Sequence, residues 1–191
     1  MQLGIRLHDI KKAPLEERLA IANEQGFLCG HLALSKVISE YPVDDGALTP
    51  GYAMYLKKLF AKNGLDIAVL GCYLNLANPN EEQLAKITHR YLAHIRFASL
   101  LGEGVVGTET GAVNEEYKFE EKNHSDEALD IFIRNVKPVL SYAEKMGVIF
   151  AIEPVWKHIV CNPKRARKVL DAVASPNLQI IFDPVSYTHL T

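Results

Sequence analysis

The chain lacks an apolar run of membrane-spanning length, lacks an excess of either charge, and has only three cysteines among 191 residues. A spanning helix needs about 20 consecutive apolar residues, so no membrane partner is expected. With 21 Lys and Arg against 23 Asp and Glu the formal charge is -2, and nothing in that balance draws the chain to nucleic acid. Cys29, Cys72 and Cys161 are scattered and mostly set in apolar runs, which reads as reduced core thiols and a cytoplasmic location. Met1-Gln2-Leu3-Gly4-Ile5 enters a strand at once, without the basic-then-apolar pattern of an export signal. The match of Asn123-His124-Ser125 to a glycosylation site therefore carries little meaning. A glycine-rich phosphate loop after the first strand is also missing, because Leu7-His8-Asp9-Ile10-Lys11-Lys12 stands there. Gly102-Glu103-Gly104-Val105-Val106-Gly107 matches G-x-G-x-x-G, but it runs into a strand rather than out of one, the wrong context for a dinucleotide turn.

What is present is enough apolar sequence, 48% of the residues, to bury the core of one domain. Gly26, Gly64, Gly102 and Gly147 each stand just before a short β-rich apolar run. A residue that accepts a left-handed backbone at a helix end, followed by such a run, marks a helix-to-strand junction. The pattern predicts strands near 3–8, 27–33, 65–72, 104–109, 148–153 and 178–183. Helices are predicted near 14–25, 50–63, 80–101, 125–146 and 163–173. Asn80 with Gln83 suggests a capping box for the third helix, and Ser125 can cap the fourth. Strict alternation of this kind implies a parallel sheet with helices outside.

Charge sits at the carboxyl ends of these strands. In Phe150-Ala151-Ile152-Glu153-Pro154 and Ile180-Ile181-Phe182-Asp183-Pro184, a carboxylate directly follows an apolar run that reads as a buried parallel strand, and a proline then ends the ladder. His8, Asp9, Tyr73, Asn75, Glu109 and His158 also follow strand ends. A (β/α)8 barrel builds its site from those positions, so the α/β fold expected is a TIM barrel of which about six β/α units are present. Two carboxylates after adjacent strands suit a divalent cation. Each also has a plainer reading: Glu153 and Asp183 as helix caps or ion-pair partners, Glu109 bonding nearby backbone amides, His158 solvated in its loop, His8 packed in the barrel, and Trp156 packed beneath its loop. The charged run 115–122 reads as a solvated loop over the mouth, or a lid.

Taken together, Ile152-Glu153-Pro154-Val155-Trp156-Lys157-His158, Phe182-Asp183-Pro184-Val185 and Val106-Gly107-Thr108-Glu109-Thr110-Gly111 resemble the sugar phosphate isomerase/epimerase group of the xylose isomerase-like TIM barrels. The resemblance implies a metal-dependent isomerase or epimerase acting on a sugar or sugar phosphate through an enediolate. The cation implied is Mn²⁺ or Mg²⁺, with Zn²⁺ or Co²⁺ as alternatives. In the group the metal is held by a Glu ending strand five, an Asp ending strand six, a His after strand seven and a Glu ending strand eight. The first two map onto Glu153 and Asp183, with Glu153 also a catalytic acid/base. Glu109, His158, His8 and Trp156, after strand ends at the mouth, are read as substrate-binding residues. The other two ligands have no counterpart, so the reading is of a C-terminally truncated barrel over 1–184, inactive by itself, from a parent with room to be a homo-oligomer. Residues 185–191, including His189, resemble a translated sequencing adapter and are expected to be a non-native tail. The alternatives are an endonuclease IV-like abasic-site nuclease, against which Tyr73 and Asn75 stand where histidine is needed, and a non-catalytic sugar-binding or truncated barrel.

Overall fold

The computed structural model describes residues 1–187, so His189 lies outside the described residues. Six strands alternate with helices: β1 (Gly4–Arg6), α1 (Leu15–Glu24), β2 (Cys29–Leu32), α2 (Leu34–Val37), α3 (Pro50–Lys62), β3 (Asp66–Gly71), α4 (Glu81–Leu101), β4 (Val105–Glu109), α5 (Asp126–Met146), β5 (Ile149–Glu153), α6 (Pro163–Val173) and β6 (Leu178–Ile180). In the sheet the strands follow chain order, β1-β2-β3-β4-β5-β6. This is the α/β alternation of a partial TIM barrel. Cys29, Cys72 and Cys161 are buried and form no disulfide. Among the described residues no helix is long and apolar enough to cross a membrane.

The chain divides into two compact units, Met1–Cys72 with Ala93–Val106, and Tyr73–Leu92 with the residues from Gly107 onward. In the first unit β1 pairs parallel with β2, Ile5 opposite Gly30, and β2 with β3, Gly30 opposite Ile67. Leu7 packs on the β2 backbone at Gly30, where an added Cβ would lie 3.0 Å from its Cγ. The buried Arg18 guanidinium donates to the carbonyls of Leu7 and Ile10, at 2.9 and 3.3 Å. Together these contacts fix the 3-10 turn Leu7–Asp9 that carries His8.

In the second unit β5 pairs parallel with β6, Phe150 opposite Leu178 and Ile152 opposite Ile180. Helix α5 buries Leu129, Phe132, Val136, Val139 and Leu140 along one stripe. Ser125 Oγ caps it by accepting from the Ala128 amide at 3.1 Å. Asn162 caps α6 through the Arg165 amide at 2.9 Å. The Arg165 guanidinium then ties the Ile159, His124 and Ser125 carbonyls together, at 2.7, 3.0 and 2.7 Å.

Three local expectations change. The capping box at α4 is only half formed: Asn80 Oδ1 accepts from the Gln83 amide at 3.1 Å, but the Asn80 amide donates to Asn78 Oδ1 at 2.9 Å. The charged run after β4 is not a bare loop, since it leads into a 3-10 turn, Glu121–His124, around the fully buried Asn123. The sixth strand stops at Ile180 and is not buried through to its acid; Phe182 is 73% exposed. Among the described residues β6 is last in the sheet order and pairs with β5.

Candidate functional site

The second unit gathers Glu109, Glu153, His158 and Asp183. Glu109 and Glu153 are the last residues of β4 and β5, half-buried at the ends of runs in which Val106, Thr108, Phe150, Ala151 and Ile152 are buried. His158 is brought in by a tight segment after β5. The Val155 amide donates to the Val160 carbonyl at 3.1 Å and the His158 amide to the Val155 carbonyl at 2.8 Å. Thr110 Oγ1 accepts from the Val160 amide at 2.9 Å. The His158 ring thus lies buried with Nδ1 3.6 Å from Glu109 Oε2, too long for a hydrogen bond, and that nitrogen has no hydrogen-bond partner among the described residues.

Asp183 takes the cap reading. Its Oδ1 accepts from the Val185 amide at 2.9 Å, capping the 3-10 turn Pro184–Tyr187. Its Oδ2 accepts from Ser186 Oγ at 2.9 Å, and the same hydroxyl lies 3.3 Å from Glu153 Oε1. Burial first, then the charges of Glu109 and Asp183, push the Glu153 carboxyl up from its ordinary 4.5 to about 7. Burial, helped by the Lys157 charge, pulls His158 down to about 4 despite the carboxylate beside it, so the ring is neutral at pH 7.

A residue that sequence reasoning passed over completes the group. Tyr117 belongs to the charged run after β4, yet it stacks on His158, centroids 5.1 Å apart and planes 22° apart. Its hydroxyl donates to Glu109 Oε2 at 3.3 Å. The one signal was an aromatic residue inside a stretch of Glu and Lys. Trp156 packs against Phe119, centroids 5.1 Å apart, and its carbonyl meets His124 Nε2 at 2.7 Å. Asn75 is buried and structural, bonding the Ala77 and Ala112 amides and the Asn114 carbonyl.

His8 lies in the first unit. Its Nδ1 is buried without a hydrogen-bond partner, and its ring meets His31 edge-on at 5.6 Å. No spacing in the sequence linked these two residues. Burial, then the charges of His8, Arg6 and Lys36, lower His31 to about 4.

Hard carboxylate donors of this kind fit a divalent cation, and a cation would offset the burial and the charge repulsion that raise Glu153. They fall short in number: among the described residues no group of three or more His, Cys, Asp or Glu is placed to hold a metal.

The model of the family described as xylose isomerase-like TIM barrel matches residues 20–188. No curated protein matches the chain. Among solved structures, D-psicose 3-epimerase with D-tagatose from Clostridium cellulolyticum H10 superposes with a TM-score of 0.71 at 16% identity, over 94% of this chain and 62% of that one. The IolI protein with a bound zinc atom gives 0.77 at 18% identity, over 98% of this chain and 64% of that one. A xylose isomerase-like TIM barrel protein from Mycobacterium smegmatis in complex with magnesium gives 0.68 at 18%, over 95% of this chain and 64% of that one. The chain therefore spans somewhat less than two thirds of the length of these structures. Likeness at such identities establishes the fold alone, and the family match over most of the sequence adds the rest: the chain belongs to the xylose isomerase-like TIM barrel family.

Proposed function

We propose that the protein interconverts sugars or sugar phosphates by moving a proton on a carbon beside a carbonyl, as an isomerase or epimerase. The observation that supports this reading most is the grouping of Glu153, raised to about 7, with Glu109 and Asp183. A carboxyl poised near neutrality can accept the substrate proton and return it. Glu153 and Asp183 would hold a divalent cation, Mn²⁺ or Mg²⁺ in preference to Zn²⁺ or Co²⁺, which supplies Lewis-acid stabilisation of the negative charge of the enediolate. Holding a cation lowers the Glu153 carboxyl again, so proton transfer and cation binding compete there.

Glu109 and His158 would meet sugar hydroxyls. A carboxylate accepts from a hydroxyl, and the buried, unbonded Nδ1 of a neutral imidazole has one hydrogen bond still to make. Trp156 would offer an apolar wall to the sugar ring. The family resemblance assigns the second acid/base group to an eighth strand, which is not among the described residues.

The test is solvent exchange with D-fructose and Mn²⁺ in D₂O, followed by ¹H NMR. Abstraction of a proton needs only one base, so deuterium should enter beside the carbonyl even where complete inversion fails. Glu153→Gln should slow entry by about 100-fold and weaken Mn²⁺ binding by calorimetry. Absence of deuterium entry in the wild-type protein, or equal rates in the two, would sink the reading; a sugar-binding barrel or a nuclease exchanges nothing.

A further inference from the structure

Tyr117 is one of two non-glycine residues with positive φ among the described residues, at 57°. A left-handed backbone costs a residue with a Cβ about 1–2 kcal/mol and persists only where the surroundings impose it. Here they do so through side-chain amides. Asn75 holds Ala112 and Asn114 at the start of the loop. Gly111, itself at φ 85°, passes so close to Asn75 Oδ1 that a Cβ there would run into it. Asn114 then clamps Lys118 on both sides, accepting from its amide at 2.9 Å and donating to its carbonyl at 3.0 Å. Asn123 accepts from the Val113 amide at 3.1 Å and donates to the Lys118 and Lys157 carbonyls at 3.2 and 3.1 Å. The result is that Glu115, Glu116, Lys118 and Glu120 face solvent while Tyr117 alone between them turns inward.

We propose that Tyr117 is a positioning residue for the substrate groups: its hydroxyl orients Glu109 Oε2, its ring fixes the His158 imidazole, and the left-handed turn delivers both contacts. This rests on the reading above that Glu109 and His158 meet the sugar. Burial and the Glu109 charge raise the Tyr117 hydroxyl, so it stays protonated and can only donate to the carboxylate. With one Glu109 oxygen engaged and the imidazole plane locked, a sugar hydroxyl meets a fixed acceptor instead of a rotating one, which lowers the entropy lost on binding.

Three variants separate the parts. In the wild-type protein the His158 ring protons should resonate upfield, under the stacked phenol; Tyr117→Phe should keep that shift and Tyr117→Ala should lose it. Unshifted His158 signals in the wild-type protein would overturn the positioning whatever any sugar does. Binding of D-fructose, followed by NMR titration, should weaken about fivefold in Tyr117→Phe, the loss of one hydrogen bond to a carboxylate, and more in Tyr117→Ala. Tyr117→Gly should be more heat-stable than Tyr117→Ala, because relief of the left-handed angle outweighs the freer unfolded chain; the reverse order would remove the strain argument. Glu109→Gln serves as the control. If it weakens D-fructose binding while Tyr117→Phe does not, the role of Tyr117 fails and that of Glu109 stands. If it has no effect, the assignment of Glu109 to the sugar fails, and the inference with it.

Discussion

The end of β5 is closed in protein, and the end of β6 is open. Before Glu153, the residues Phe150, Ala151 and Ile152 are 0%, 4% and 0% exposed, and after it Pro154 and Val155 are buried too. Before Asp183, Ile180 and Ile181 are half-buried and Phe182 is exposed, and after it Pro184 and Val185 face solvent. Both segments carry the same order of apolar run, acid and proline. The difference comes from neighbours: the segment after β5 is stitched to Thr110 and Gly111 by backbone amides of Val160 and Ile159, whereas Asp183 bonds mainly within its own turn. An acid is therefore shifted strongly where the surroundings remove water, and the same motif without that cover becomes a cap.

The sharpest way to break this contrast is to truncate the apolar residue before each acid. Ile152→Ala should cost about 3 kcal/mol, the transfer and cavity terms of a fully buried side chain. Phe182→Ala, at an exposed site, should change stability by less than about 0.5 kcal/mol. Urea unfolding of the two variants against the wild-type protein measures both, and comparable losses would mean that the two ends are equally covered.

A second contrast is in pH, and it distinguishes the residues within the closed end. The Glu153 carboxyl is raised from 4.5 to about 7, so its contribution to folding is whole below pH 4.5 and is lost as pH rises through about 7. Glu153→Gln stays neutral. Without added metal the two proteins should unfold alike at pH 4, and the variant should be the more stable at pH 8, by about 1 kcal/mol once the solvent reaching this half-buried group is allowed for. His158 has the opposite sign, lowered from 6.5 to about 4: its contribution is whole above pH 6.5 and is lost as pH falls through about 4. His158→Gln should flatten that acid limb and leave the alkaline one intact. Thermal unfolding at a series of pH values reads both limbs, and parallel curves for wild type and Glu153→Gln would contradict the burial argument.

Strand and helix order was legible because hydrophobic period and helix-stop glycines are local signals; Gly26, Gly64, Gly102 and Gly147 all take positive φ. The position of Glu109 and Glu153 as last strand residues was legible for the same reason. What escaped depends on contacts distant in sequence. Tyr117 turns inward because Asn75 and Asn123 hold its loop, and Asn75 is 42 positions away by residue number. The His8–His31 contact follows from the parallel pairing of β1 with β2, with Arg6 opposite His31. The half-exposure of β6 reflects its pairing, among the described residues, with β5 alone, which period and composition do not encode.

The smallest expected effect lies at the junctions that lead into the two strands. Helix α5 ends at Gly147 with φ 66°, and α6 ends at Ala174 with φ 52°, so the left-handed stop recurs before β6 without the residue that favours it. A Cβ built on Gly147 meets nothing within 4 Å, so Gly147→Ala isolates the backbone term and should destabilise by about 1 kcal/mol. Ala174 is exposed, so Ala174→Gly removes no buried methyl and relieves the angle, at the expense of a freer unfolded chain. The two terms oppose, and the net gain should be about 0.5 kcal/mol. Calorimetric melting of both single variants and of the double variant checks the pair. The sites are in separate junctions, so the changes should add; a loss of stability in Ala174→Gly would show that the turn before β6 is held by its neighbours and not strained at that residue.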